Sequence, residues 1–288
     1  MTTMPPPTSS PLLTHILAFL RPHLTSLPER TTPLFIALSG PQGSGKTTVV
    51  TTLASVLRSA PYSLSVAVLS IDDLYLTNAQ QTALAASNPH NPLLQHRGVP
   101  GTHDLPLARS VFSALKNGSE VTLPVYDKSA FSGAGDRAEA GENVPGRVDV
   151  VLFEGWCVGF RALAPDELEA RHTRGTGVVG KHLLENLVAM NTALEGYDEI
   201  TDQLDVLIHI DAEYIDYVYA WRLQQEHALH TATGRGMTDE QVVAFVDGYM
   251  PAYELYVSAL RQGAFKERGR HLKVVIGRGR EVVEVVEM

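Results

Sequence analysis

Residues 33–50 read PLFIALSGPQGSGKTTVV: an apolar run that ends in glycine, a loop of small residues, and the start of a helix-forming stretch. Gly40 to Thr47 fits G-x-x-x-x-G-K-[ST], in which the glycines let consecutive backbone N–H groups turn inward around a β-phosphate. The expected nucleotide-binding residues are Gly40, Gln42, Gly43, Ser44, Gly45, Lys46, Thr47 and Thr48. In this pattern Lys46 reaches the β/γ oxygens and the Thr47 hydroxyl ligates Mg²⁺. The segment Thr47 to Ser59 is predicted to be helical, which would set a helix N-terminus against the phosphates.

Outward from this loop, further apolar runs begin at Ser63 (SLSVAVLSIDD), Val148 (VDVVLFEG) and Gln203 (QLDVLIHIDA), and Leu272 to Ile276 supplies another. They are near-continuous rather than alternating, which suits parallel strands covered on both faces. Helical stretches at Leu105–Asn117 and Tyr214–His230 lie between them, so the expected fold is α/β, a doubly wound parallel sheet flanked by helices. Residues 1–10 are rich in Pro, Thr and Ser and are expected to be disordered; Leu12 to Leu20 reads as a short amphipathic helix closed by Pro22.

Composition removes several alternatives. The 288 residues carry a formal charge of −9, which argues against a nucleic-acid partner. Cys157 is the lone cysteine, so neither a disulfide framework nor a Cys-rich zinc site can form. No apolar run approaches the ~20 residues that cross a bilayer. No Lys or Arg precedes Arg21, so the start does not read as a signal or transit peptide, and a cytoplasmic protein is expected. The motif Asn-Lys-x-Asp, which reads guanine, is absent, as is an LSGGQ-type signature.

Other segments point to a small-molecule kinase. Asp72 and Asp73 close the second apolar run and Glu154 closes the third, and in open parallel sheets the ligand sits beyond such strand ends. Asp72 is expected to orient or accept the proton of an attacking hydroxyl, Glu154 to hold Mg²⁺, and Asp73 to cap a turn. Residues of about 214–250 read as helix, glycine-flanked loop and helix, with a capping-box pattern at Thr238 and Gln241; this is expected to be a lid. Arg222 would project from its first helix toward the transferring phosphoryl group, and Arg235 lies in its loop.

The motifs GPQGSGKTT, SIDDLYLT, RGVPGTHDLPL, PVYDKSAFSGAGDR, VLFEGWCVGF, WRLQQEHAL and GMTDEQVVAFVDGYMPAYELY occur in this order. Over residues 33 to 280 the chain resembles the fungal and plant-type D-glycerate 3-kinases, which are similar in turn to uridine kinase, phosphoribulokinase and bacterial pantothenate kinase. The resemblance implies a P-loop kinase fold over residues 11–288 and ATP-dependent phosphoryl transfer to a small-molecule hydroxyl, glycerate giving 3-phosphoglycerate. It implies Asp72 as catalytic base, Glu154 as the acid after the Walker-B-like strand, and Arg222 as the first lid arginine. Where nucleoside kinases carry a second lid arginine, this chain has Gln225.

An anionic acceptor needs a cation and polar partners. Two polar insertions, residues 77–104 and 127–147, offer Arg97, His103 and Asp104 on one side and Lys128 and Arg137 on the other, with Tyr126 just ahead of the second. Trp156 either walls the pocket or belongs to the core; Cys157 reads as a small buried residue. His227 and His230 lack a third ligand for a metal. The basic segment 261–280 is expected near the nucleotide. Alternatives within the same reading are another hydroxyl acceptor, such as pantothenate or a nucleoside, and a catalytically weak ATP-binding regulator.

Overall fold

The computed structural model describes residues 10–234 and 236–288; Met1–Ser9 of the expected disordered tail, and Arg235, lie outside the described residues. Helix α1 (Pro11–Thr25) precedes strand β1 (Leu34–Ser39), α2 (Lys46–Arg58) and β2 (Val66–Ser70). The first insertion folds as α3 (Asn78–Ser87) and leads to α4 (Leu105–Asn117). The short strands β3 (Val121–Leu123), β4 (Tyr126–Asp127), β5 (Asp136–Arg137) and β6 (Glu142–Val144) pair as two antiparallel ribbons, β3 with β6 and β4 with β5. After β7 (Val150–Gly155) come α5 (Pro165–Thr173), α6 (Leu184–Glu195) and α7 (Asp198–Thr201), then β8 (Val206–Ala212). The chain ends with α8 (Tyr217–Thr233), α9 (Asp239–Asp247), α10 (Met250–Leu260), β9 (His271–Ile276) and β10 (Val282–Glu287).

The six-stranded sheet has the order β10-β9-β8-β1-β7-β2, parallel throughout except for β10, which runs antiparallel to β9. Alternate residues of β1 enter separate cores. Leu34, Ile36 and Leu38 pack with Ile16 and Leu20 of α1 and Leu53 and Leu57 of α2. Phe35 stacks on Phe112 of α4 at 5.5 Å and, with Ala37, belongs to the core that also contains the α10 tyrosines Tyr253 and Tyr256. Both faces of the strand are therefore dry, which is why its sequence is apolar at every position.

Helix α1 runs through Pro22 instead of stopping before it. Proline removes one helical N–H, but Leu20 and Leu24 stay buried on either side of it and the His23 ring meets the Gly269 carbonyl at 2.9 Å, so tertiary packing holds the last turn. The first polar insertion carries a helix of its own: the Thr77 and Gln80 side chains form a reciprocal capping box that starts α3. Among the described residues no helix is long and apolar enough to cross a membrane.

Candidate active site

The phosphate loop is built from backbone that only glycine tolerates. Gly43 and Gly45 have φ of 77° and 93°, in the left-handed region. A Cβ on Gly43 would lie 2.5 Å from Trp221 Cβ, and one on Gly40 would lie 2.7 Å from the Ile210 carbonyl oxygen. Arg280 Nε donates to the Gly43 carbonyl at 2.7 Å, and the Gln42 N–H donates to the Tyr253 hydroxyl at 3.2 Å. Lys46 Nζ folds back onto the Pro41 carbonyl at 3.0 Å. Burial lowers its pKa against the opposing pull of Glu154 and Asp72. The buried Ser44 hydroxyl has no partner among the described residues, so the loop keeps an unused donor. Thr47 lines the adjoining cleft, while Thr48 stands exposed on the first turn of α2.

One serine ties the two strand-end acids together. Register pairs Glu154 of β7 with Leu38 of β1 and Ser70 of β2. Ser70 Oγ donates to Glu154 Oε1 at 2.7 Å and accepts the Asp72 N–H at 3.2 Å, starting the short turn Ile71–Leu74. Asp72 Oδ1 then accepts from the Tyr75 hydroxyl at 2.9 Å, and Oδ2 accepts from Lys128 Nζ at 2.6 Å. Burial pushes the Asp72 carboxyl up, but the Lys128 charge and the bonds from Lys128 and Tyr75 together bring it below its ordinary value. Ser70 caps the turn through its hydroxyl, and Asp73 shares in the cap: its carboxylate is held by the Ser70 backbone N–H, while Oδ1 accepts the Tyr126 N–H at 3.1 Å and anchors the second insertion.

These groups meet in a cleft of about 1130 Å³ whose lining includes Lys46, Thr47, Asp72, Glu154, Arg97, Lys128 and Arg222. On α8, Arg222, Gln225 and Leu229 share the face turned to the cleft. Arg222 pairs with Glu226 at 2.7 Å and lies 5.2 Å over the Phe245 ring of α9. Buried Glu226 also accepts the Met237 N–H at 2.7 Å, so the two helices are tied at their junction.

The six acceptor candidates separate into two layers. Arg97 and Lys128 line the cleft, Arg97 held by the carbonyls of Gly133 and Ala134 and lying 5.5 Å over Tyr126. His103, Asp104, Tyr126 and Arg137 pack around Tyr75 instead. His103 stacks on its ring at 4.6 Å, Tyr126 meets it edge-on at 5.3 Å, and Arg137 donates to its carbonyl at 3.1 Å. Asp104 caps α4 by accepting the Leu107 N–H at 3.0 Å and pairs with Arg137 at 2.8 Å. His103 meets the Tyr197 hydroxyl at 2.6 Å, and burial lowers its pKa to about 4, so it is neutral at physiological pH.

Comparison with known proteins agrees with this geometry. Residues 35–162 match the Phosphoribulokinase / Uridine kinase family. The chain is 44% identical over 235 residues to the uncharacterized kinase mug58 of Schizosaccharomyces pombe, covering 79% of this chain and 82% of that one. The chain belongs to this kinase family. This kinase is also 39% identical over 235 residues to the chloroplastic D-glycerate 3-kinase of Arabidopsis thaliana, across 79% of this chain and 48% of the longer relative. The solved D-glycerate 3-kinase of Cryptococcus neoformans var. grubii is 36% identical with a TM-score of 0.89, over 97% of this chain and 100% of that one. The molecule is thus an ATP-dependent small-molecule kinase.

Within the kinase, the basic segment 261–280 divides. Arg261 pairs with Asp211 at 2.7 Å and Arg270 binds the carbonyls of Asp205 and Leu204, whereas Arg280 touches the phosphate loop itself. Trp156 belongs to both categories considered for it: it is 3% exposed among Phe160, Tyr249 and Tyr253, yet one edge lines the cleft. Cys157 is buried and unpaired. His227 pairs with Asp239 at 2.7 Å, and the described residues contain no cluster of three metal-ligating side chains. Sequence reasoning passed over Ser70 and Tyr75, and named Arg280 only within the basic segment expected near the nucleotide. Ser70 was open to discovery, since a serine two residues before an acid at a strand end is a turn-capping signal; Arg280 arrives from 237 residues away, and the sequence did not separate it from the other basic residues of its segment.

Proposed function

We propose that this kinase transfers the γ-phosphoryl group of ATP to a hydroxyl of a small organic acid, D-glycerate giving 3-phosphoglycerate. The observation that carries the reading is the pairing of cations with the base: Lys128 and Arg97 line the same cleft as Asp72, as a carboxylate-bearing acceptor requires. Likeness to two proteins named D-glycerate 3-kinase supports the choice of acid.

Asp72 would take the proton of the attacking hydroxyl, and Lys46 with the loop amides would hold the phosphates. Helices α8 and α9 would act as the lid, bringing Arg222 toward the charge that spreads over the transferring group. The donor set offered by Thr47 and Glu154 is a hydroxyl and a carboxylate, with one Glu154 oxygen fixed by Ser70, which fits a hard divalent cation. Mg²⁺ there would supply neutralisation of phosphate charge.

The test is ADP release with D-glycerate, pantothenate and nucleosides offered in turn. D-Glycerate alone should stimulate turnover, and Asp72→Asn should remove that stimulation by about 10²–10⁴-fold while ATP still binds. Stimulation by a nucleoside instead, or full activity in Asp72→Asn, would overturn the reading.

A further inference from the structure

We propose that Lys128 is an acceptor-operated catch on the catalytic base: in the acceptor-free enzyme its ammonium occupies Asp72, and the carboxylate of the incoming acid draws it away. The inference rests on the reading of Asp72 as base and of the acceptor as an organic acid.

Both oxygens of Asp72 are engaged, but by partners of very different mobility. Tyr75 is 3% exposed and packed between His103 and Tyr126, which hold its hydroxyl on Oδ1. The Lys128 side chain is 57% exposed, stands on the turn after β4, and has Asp72 as its hydrogen-bond partner among the described residues. Nearby acids do not compete for it. Asp127 accepts from the Ser129 N–H and hydroxyl at 2.8 and 2.6 Å, and Asp73 holds the Tyr126 N–H. Arg97 is held by two carbonyls and a ring, and Lys46 belongs to the phosphate loop. Lys128 is therefore the cation able to follow a ligand.

Charge gives the same answer. The cleft is lined by Lys46, Arg97, Lys128 and Arg222 against Asp72, Asp73 and Glu154; with Arg222 paired to Glu226 and Arg97 held on carbonyls, an added carboxylate is attracted to Lys128, the cation that can leave its partner at least cost. While Lys128 sits on Oδ2, that oxygen is a poor acceptor for a proton from water. Once Lys128 turns to the acceptor, Oδ2 takes the hydroxyl proton. The acceptor oxygen bonds to Pγ, the bond from Pγ to the β,γ-bridging oxygen breaks, and ADP departs with that electron pair. The proton then passes from Asp72 to solvent. Hydrolysis would follow the same course with water as nucleophile, and the catch suppresses it.

The experiment measures ADP release by the full chain with ATP and Mg²⁺, for wild type, Lys128→Met and Lys128→Arg. Each is assayed without acceptor, with D-glycerate, and with glycerol, which keeps the carbon chain and replaces the carboxylate by a hydroxymethyl group. Lys128→Met should raise acceptor-free ATP hydrolysis on the order of tenfold. It should lower kcat/KM for glycerate on the order of 100-fold and erase most of the preference for glycerate over glycerol. Lys128→Arg should keep the low acceptor-free rate. An unchanged acceptor-free rate in Lys128→Met, with only KM raised, would overturn the catch and leave a simple binding residue. Parallel loss of all activity with a lowered melting temperature in both variants would also overturn it. The acceptor-free arm involves no acceptor, so it decides the catch even if glycerate fails to stimulate the wild type, a failure that would overturn the acceptor assignment alone.

Discussion

The phosphate loop is one continuous stretch, Gly40 to Gly45 between β1 and α2 with Lys46 and Thr47 on the first turn of α2, and glycine backbone at Gly43 and Gly45 dictates its shape. The proposed acceptor wall instead assembles Asp72, Arg97 and Lys128 from three separate segments: Tyr75 bonds Asp72, the Gly133 and Ala134 carbonyls hold Arg97, and the Asp104–Arg137 pair stands behind Tyr75. The first is a rigid cradle for a ligand part that is always the same. The second is a set of side-chain contacts that can be altered one at a time, which is where acceptor choice can change without loss of phosphate binding. If the contrast is real, changes on the two sides should fail in different ways.

The largest effect is expected at the cradle. Lys46→Ala should lower kcat/KM on the order of 10³-fold for any acceptor, because it removes charge from the transferring phosphoryl group itself. Folding should be untouched, since Lys46 makes one bond within the protein, to Pro41. Steady-state kinetics beside a thermal melt check both statements. A variant that lost activity toward one acceptor only would erase the distinction between cradle and wall.

Next comes the frame behind the wall. Arg137→Met would strand Asp104, whose side chain is 14% exposed, and free the Tyr75 carbonyl. The expected loss is about 1–3 kcal/mol in urea unfolding, less than for a fully dry pair because Arg137 keeps some solvent contact. Acceptor KM should rise with ATP KM unchanged. Unaltered stability would mean the pair is decorative and the wall is held elsewhere.

The same division explains what could be read in the sequence. The cradle, the strand-end acids Asp72 and Glu154 and the helix bearing Arg222 are local patterns whose spacing is their geometry. Arg97 and Lys128 were recognisable as cations in polar insertions, but nothing local separates them from Arg137, which turned out to pair with Asp104 behind Tyr75. Likewise His103 reads as a polar ligand candidate and is a neutral packing partner of Tyr75, because burial, which only the fold creates, decides its protonation. Strand β10 pairs with β9 at the sheet edge, and its half-exposed sequence lacks the continuous apolar run that marked the inner strands.

A smaller effect follows from protons. His103 and His271 are both lowered to about 4 by burial, against 6.5 for a free imidazole. Above 6.5 neither fold nor unfolded chain holds these protons and nothing changes. Between 6.5 and 4 the unfolded chain binds protons that the fold refuses, so stability falls by up to about 1.4 kcal/mol per pH unit for each histidine, then levels off. Urea titrations at several pH values should show this slope, and His103→Gln should reduce it. Since His103 stands behind the wall and the phosphate loop contains no histidine, acceptor KM should respond to acid before ATP KM does. Simultaneous failure of both would contradict a wall and cradle that yield separately.

The smallest change is Tyr75→Phe, and it probes the wall at a single atom. Phenylalanine keeps the stack on His103 and the edge contact with Tyr126, so the melting temperature should barely move. What disappears is the hydroxyl that donates to Asp72 Oδ1 at 2.9 Å. That bond favours the ionised carboxylate, so its loss raises the Asp72 pKa and shifts the acidic limb of the kcat/KM profile to higher pH. It also frees the carboxylate to rotate, and kcat should fall by about 3- to 10-fold, the worth of one hydrogen bond to a charged group partly replaced by water. ATP KM should change little, because the Tyr75 hydroxyl reaches the phosphate loop through Tyr249, which also bonds Gln42, and the Gln42 N–H is held independently by Tyr253. A shifted acidic limb with unchanged ATP binding would locate control of the base in the wall; an unmoved limb would reduce Tyr75 to packing and leave Lys128 as the group that sets the state of Asp72.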